Sequence, residues 1–76
     1  MKELVEVIAK ALVNNPDEVV VTESVEDNGD IYLTLSVDPA DMGKVIGKQG
    51  RIAKAIRTVI KVPASREDVK VTLDIE

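Results

Sequence analysis

The 76-residue sequence contains no cysteine, no histidine, no tryptophan and no phenylalanine. Without cysteine there is neither a disulfide framework nor thiolate chemistry, a composition that fits a reducing compartment. Without histidine the chain lacks the usual general base near neutral pH and the commonest metal ligand. A single aromatic residue, Tyr32, leaves the core to aliphatic side chains. No long apolar run occurs, and acids punctuate even the first apolar stretch, Met1-Lys2-Glu3-Leu4-Val5-Glu6. That pattern supplies neither a secretory h-region nor a membrane span, so a cytoplasmic protein is expected.

The length allows one domain, 1–76, with a small core and a thin margin of stability. Apolar residues make up 45% of the chain and charged residues 32%, too hydrophobic a balance for a disordered segment. The net charge of −4 argues against a uniformly basic nucleic-acid binder. Its distribution says more. Between Lys44 and Lys61 stand six cations (Lys44, Lys48, Arg51, Lys54, Arg57 and Lys61) and no acid, whereas the rest of the chain holds four cations and all 14 acids. One positive segment is set in an acidic protein.

Hydrophobic periodicity gives the element order. A helix is expected over 2–14, with Leu4, Val5, Ile8, Ala11 and Leu12 on one face and Val13 turned toward the polar side. Asn14-Asn15-Pro16 should stop it, with Asn taking the left-handed C-terminal position. A strand over 18–26 points Val19, Val21 and Val25 one way, interrupted by Glu23. Asp27-Asn28-Gly29-Asp30 supplies a hairpin turn. A second strand, 31–37, alternates between an inner face of Ile31, Leu33, Leu35 and Val37 and an outer face of Tyr32, Thr34 and Ser36. Tyr32, with no companion aromatic, reads as a surface strand residue rather than a base-stacking platform.

Asp38-Pro39-Ala40-Asp41 reads as a helix start, with Asp38 as cap and Asp41 near the positive end of the dipole, rather than as a metal site. That helix is short because Gly47 follows within about two turns. Another helix is expected from near Gly50 to about Val62, ended by Pro63, with Ile52, Ala55, Ile56, Val59 and Ile60 on its core half. Residues 64–67 form a loop, and 68–75 alternate as a last strand. The order α-β-β-α-α-β, with one apolar face per element, predicts an α/β (α+β) two-layer sandwich: three helices on one face of a three-stranded sheet.

The chemistry concentrates in Val45-Ile46-Gly47-Lys48-Gln49-Gly50-Arg51-Ile52. Two helices meet at a four-residue turn bounded by glycines, which permit unusual backbone angles and close approach of a ligand. The free N–H groups and positive dipole end of the second helix open at that turn. Lys48 sits in the turn, with Lys44, Arg51 and Lys54 about one turn away. Such a site suits a phosphodiester. It is not a nucleotide P-loop, because Gly43 and Gly47 enclose too few residues and Lys48 is followed by Gln49 rather than Ser or Thr.

Val45-Ile46-Gly47-Lys48-Gln49-Gly50 with Ile52 resembles the signature of the KH domain, whose GxxG loop clamps about four nucleotides of single-stranded nucleic acid. The element order resembles the type II KH arrangement. Length and the segment Asp41–Lys48 are similar to the small stand-alone bacterial KH proteins of the KhpA type, and the resemblance covers nearly the whole chain.

It implies that Gly47 and Gly50 shape a clamp, that Lys48 and Gln49 touch phosphates, and that amides around Gly50 and Arg51 contribute. Lys44 and Lys54 would add positive charge. Ile46, Ile52 and Val37 would form or underlie an apolar floor for bases. Thr34, Ser36 or the Ser65-Arg66 loop would reach base edges, while Arg57 and Lys61 read as solvated charges.

The resemblance further implies self-association, a larger KH-containing partner of the Jag (KhpB) type, and RNA-chaperone or post-transcriptional work linked to envelope growth and cell shape. It implies no cofactor and no metal. The competing reading is a protein-interaction module that dimerises and touches RNA only marginally. With no His, no Cys and no distinguishable paired-carboxylate site, no catalytic constellation is visible.

Overall fold

The computed structural model describes residues 1–76. The elements are α1 (Lys2–Leu12), β1 (Val20–Val25), β2 (Ile31–Ser36), α2 (Met42–Ile46), α3 (Arg51–Arg66) and β3 (Val71–Ile75), with 3-10 turns at Pro16–Glu18, Pro39–Asp41 and Lys48–Gly50. β2 is the central strand, antiparallel to β1 and parallel to β3. A parallel neighbour demands a crossover connection, and the α2–α3 hairpin supplies it. The expected α+β architecture, three helices over a three-stranded mixed sheet, is what forms.

Strand alternation decides which face is covered. Val21 pairs with Leu35, and Leu33 with Leu73, and all four are buried under the helices. Val5 and Ala9 of α1, Val45 of α2, and Ile56 and Ile60 of α3 close the other side of this core. The intervening outer residues, among them Thr22, Tyr32 and Thr34, form the uncovered face of the sheet. No helix is long and apolar enough to cross a membrane.

Several local expectations are corrected. α1 ends at Leu12, and Val13 is extended (φ −93°, ψ 160°), so it leaves the helical wheel and packs against the core instead of facing the polar side. Asn15 does not cap α1 in the left-handed region. Its backbone N–H donates to Asp41 Oδ2 at 3.0 Å and its Nδ2 donates to Asp38 Oδ2 at 2.9 Å, tying the end of α1 to the start of α2. Asp38 caps as expected, accepting from the Ala40 N–H at 2.9 Å. Asp41 is 1% exposed, so its carboxylate serves as a buried tie-point rather than as a surface charge on a dipole.

Val25 faces the helical side yet remains 62% exposed, because the hairpin end of β1 runs past the helices. In the turn, Gly29 alone takes positive φ (+90°), and Asn28 Oδ1 accepts from the Asp30 N–H.

The largest correction concerns Pro63. It lies inside α3, which continues to Arg66, and Ala64 one residue on is 3% exposed. Proline removes one backbone donor and clashes with the carbonyl four residues back, a cost of about 3 kcal/mol in a helix interior. Docking the last turn through Ala64 offsets that cost. The helix then closes through Glu67, whose N–H donates to Pro63 and Ala64, and Asp68 takes the left-handed conformation (φ 56°).

The buried stripe of α3 runs through Ala53, Ile56, Ile60 and Ala64, so Ala55 and Val59, placed on the core half by the wheel, are exposed. Ala11 of α1 is likewise exposed, and Ala9 takes its place in the core. Arg57 is not a free solvated charge. Its Nε and Nη2 donate to the Leu73 carbonyl at 3.2 and 3.1 Å, tying α3 to β3.

Candidate nucleic-acid interface

α2 and α3 form a helical hairpin whose apex is the four-residue turn. The chain enters it through Gly47 at φ 75°, ψ 174°, a region essentially reserved for glycine. A Cβ built there would lie 2.6 Å from Ile52 Cγ1 and 2.9 Å from Ile52 Cβ. Gly47 is therefore required twice, by its backbone angles and by the Ile52 side chain folded over it. Gln49 follows in the left-handed region (φ 58°, ψ 25°), as does Gly50 (φ 75°, ψ 15°). The Gly47 N–H donates to Gly43 at 2.9 Å and the Gly50 N–H to Gly47 at 3.1 Å, which locks the turn onto α2.

Left-handed backbone at Gln49 costs a non-glycine residue about 1–2 kcal/mol. Strain of this kind, held in place by surrounding structure, clusters at ligand clamps. The residue that bears it points outward: Lys48 and Gln49 are both exposed. No side chain caps the start of α3, so the helix presents its own N–H groups and dipole end beside them.

The expected site residues fall into three groups. Gly47, Lys48, Gln49, Gly50 and Arg51 are contiguous at the apex, with Lys44 and Lys54 exposed on the adjoining turns of α2 and α3. Ile46 and Ile52 pack at the rim of the core and keep part of their surface open, as a floor requires. Val37 is 7% exposed and belongs to the core, so it underlies the surface rather than forming it. Thr34 and Ser36 lie on the open face of the sheet, opposite the helical layer. Ser65 and Arg66 close the far end of α3, about 22 Å of helix from Gly50 at 1.5 Å per residue. These four are not gathered with the turn.

Sequence reasoning missed an apolar groove between α1 and α3. Ile8 and Leu12 form one wall and Ile52, Ala55, Ile56 and Val59 the other, enclosing about 380 Å³ with Arg51 at one end. Val59 is 46% and Val62 55% exposed along the same helix. The signal was present in the spacing of Ala55 and Val59, but the wheel assigned both to the core by default.

The comparisons agree with the geometry. A family model for the KH domain of KhpA/KhpB matches residues 2–75. The chain is 60% identical over 75 residues to the RNA-binding protein KhpA of Clostridium perfringens and 61% identical to that of Clostridium acetobutylicum, covering 99% of each chain in both cases. It is 48% identical to the RNA-binding protein KhpA of Aquifex aeolicus, over 99% of this chain and 94% of the relative. No match was found among solved structures. With its strained glycine turn between α2 and α3 and a family match running nearly end to end, the chain belongs to the KhpA/KhpB family of KH domains.

Proposed function

We propose that this chain is a non-catalytic RNA-binding domain, working in the cytoplasm as one KH unit over residues 1–76, that grips single-stranded RNA at Gly47–Gly50. The observation that carries the reading is the exposed Lys48-Gln49 pair, with Gln49 in the left-handed region, held between two positive-φ glycines. The phosphate backbone runs across the turn, Lys44, Lys48, Arg51 and Lys54 neutralise it, and bases lie toward Ile46 and Ile52. The relatives' description as RNA-binding proteins supports the same reading.

Stacking on an aromatic side chain is worth roughly 1–3 kcal/mol per base, and this chain has only Tyr32, on the open sheet face. Affinity rests on charge and backbone contact, so it is weak and salt-sensitive. For single strands, log K falls with log salt at about −0.7 per neutralised phosphate, so three or four contacts give a slope of about −2 to −3. Fluorescence anisotropy of a labelled random single-stranded RNA across a salt series measures it. Absence of binding at low salt, or a slope near zero, would overturn the reading.

A second reading, self-association, is favoured by the α1–α3 groove. Two copies related by a two-fold axis present the same patch twice, a geometry that an apolar surface satisfies and a row of like charges does not. Pairing through the Leu12, Ala55 and Val59 part of the groove, which leaves Arg51 and Ile52 to the clamp, would raise RNA affinity by linking two clamps. Val59→Asp, at an exposed position, is expected to leave the fold intact and convert a dimer to monomer in analytical ultracentrifugation. A monomeric wild type would overturn self-association and leave a different KH-containing chain, of the Jag (KhpB) type, as the occupant to test, and an unchanged dimer would place the contact elsewhere.

A further inference from the structure

β3 is an outer strand, with β2 on one side and an open edge on the other. Parallel pairing with β2 fixes which of its backbone groups are left over. The Ile31 N–H donates to the Lys70 carbonyl and the Glu76 N–H to the Leu35 carbonyl, both at 2.8 Å. With Leu33 paired to Leu73, residues Lys70, Thr72, Asp74 and Glu76 direct their backbone groups to β2. The N–H and carbonyl groups of Val71, Leu73 and Ile75 therefore point to the open edge. A row of this kind is a template for another strand.

The edge is complementary to itself. A second copy turned about a two-fold axis through Leu73 would run antiparallel, with Val71 of one chain against Ile75 of the other and Thr72 against Asp74. Lys70 would face Glu76, so unlike charges meet directly across the pair. The outward groups of Val71 and Ile75 would bond to each other, and at the centre the two Leu73 residues would exchange N–H to carbonyl bonds.

One side chain stands in the way. Arg57 reaches over from α3 and donates Nε and Nη2 to the Leu73 carbonyl at 3.2 and 3.1 Å. That carbonyl is the central acceptor of the self-pairing. The planar guanidinium fills the edge at that point and sets a permanent charge where a second strand would lie. We infer that Arg57 is a latch on a self-complementary strand edge, holding β3 closed against β3 of a second copy. This surface is separate from the α1–α3 groove and from the Gly47–Gly50 turn, and the inference does not depend on RNA binding.

Arg57→Met tests it, because it removes the guanidinium and keeps an apolar stem. Analytical ultracentrifugation compares it with wild type at equal concentrations, with circular dichroism on every protein. The variant is expected to reach about double the wild-type mass or more as concentration rises, with the Val71 and Ile75 amides slowed in hydrogen exchange. Arg57→Met with Lys70→Glu sets like charges opposite each other and is expected to return to the wild-type mass. Adding Glu76→Lys to that pair restores unlike charges and is expected to restore the assembly. An Arg57→Met protein no heavier than wild type would overturn the inference. Assembly that persists with Lys70→Glu, as aggregation through unfolding would give, would overturn it equally, and so would a triple variant that stays at the wild-type mass.

Discussion

Gly47→Ala is expected to damage stability and RNA binding together. The new methyl group would enter a region of backbone space that costs about 1–3 kcal/mol for a residue with a side chain. It would also sit 2.6 Å from Ile52 Cγ1, with Ile52 Cδ1 at 2.9 Å. Relieving such overpacking typically costs a further 1–3 kcal/mol. A domain of this size has roughly 4–11 kcal/mol of total stability, so the sum removes a large part of it.

Gly50→Ala provides the internal comparison. Its φ is also 75°, but nothing lies within 4 Å of the added carbon. Only the left-handed penalty of about 1–2 kcal/mol applies. Thermal unfolding followed by circular dichroism should show a clearly larger loss for Gly47→Ala than for Gly50→Ala. Equal losses would mean that Ile52 yields freely and does not lock the turn.

The element order, the strand alternation of β2 and the glycine-bounded turn were legible in the sequence, because each rests on a local rule. Leu33 and Leu35 alternate with polar neighbours and are buried. Asp38 stands just before Pro39 and does cap. What was not legible depends on partners distant in the chain. Pro63 ends a helix by local rules, and only the burial of Ala64 keeps α3 going to Arg66. Asn15 and Asp41 each read as helix punctuation, but they meet across the fold at 3.0 Å. The wheel of α3 put Ile56 and Ile60 in the core correctly but Ala55 and Val59 there wrongly, because it could not say that α1 stops short of covering them, which leaves the groove open.

At the candidate site, sequence reasoning located the turn proposed as the clamp because glycine at two fixed positions and a run of cations are visible without any packing information. Thr34 and Ser36, offered together with the Ser65-Arg66 loop as residues that reach base edges, lie on the outer face of β2, as the alternation of that strand had already placed them.

The second large effect is on binding alone. Lys48 and Gln49 are exposed at the apex of the turn, and replacing both with aspartate changes the local charge by three units. Aspartate is among the residues that tolerate the left-handed backbone seen at Gln49, and both glycines remain, so the fold should be preserved. Each unit charge about 4 Å from a phosphate is worth about 1 kcal/mol in water. Three units give about 3 kcal/mol, roughly a 100-fold loss of affinity.

The measurement that bears most directly on the account is therefore anisotropy of a labelled single-stranded RNA at low salt, wild type against Lys48→Asp with Gln49→Asp, with circular dichroism on both. The account predicts matching spectra and melting, binding by the wild type, and roughly 100-fold weaker binding by the variant. Equal binding by two equally folded proteins would contradict it, and would place the RNA site away from the Gly47–Gly50 turn.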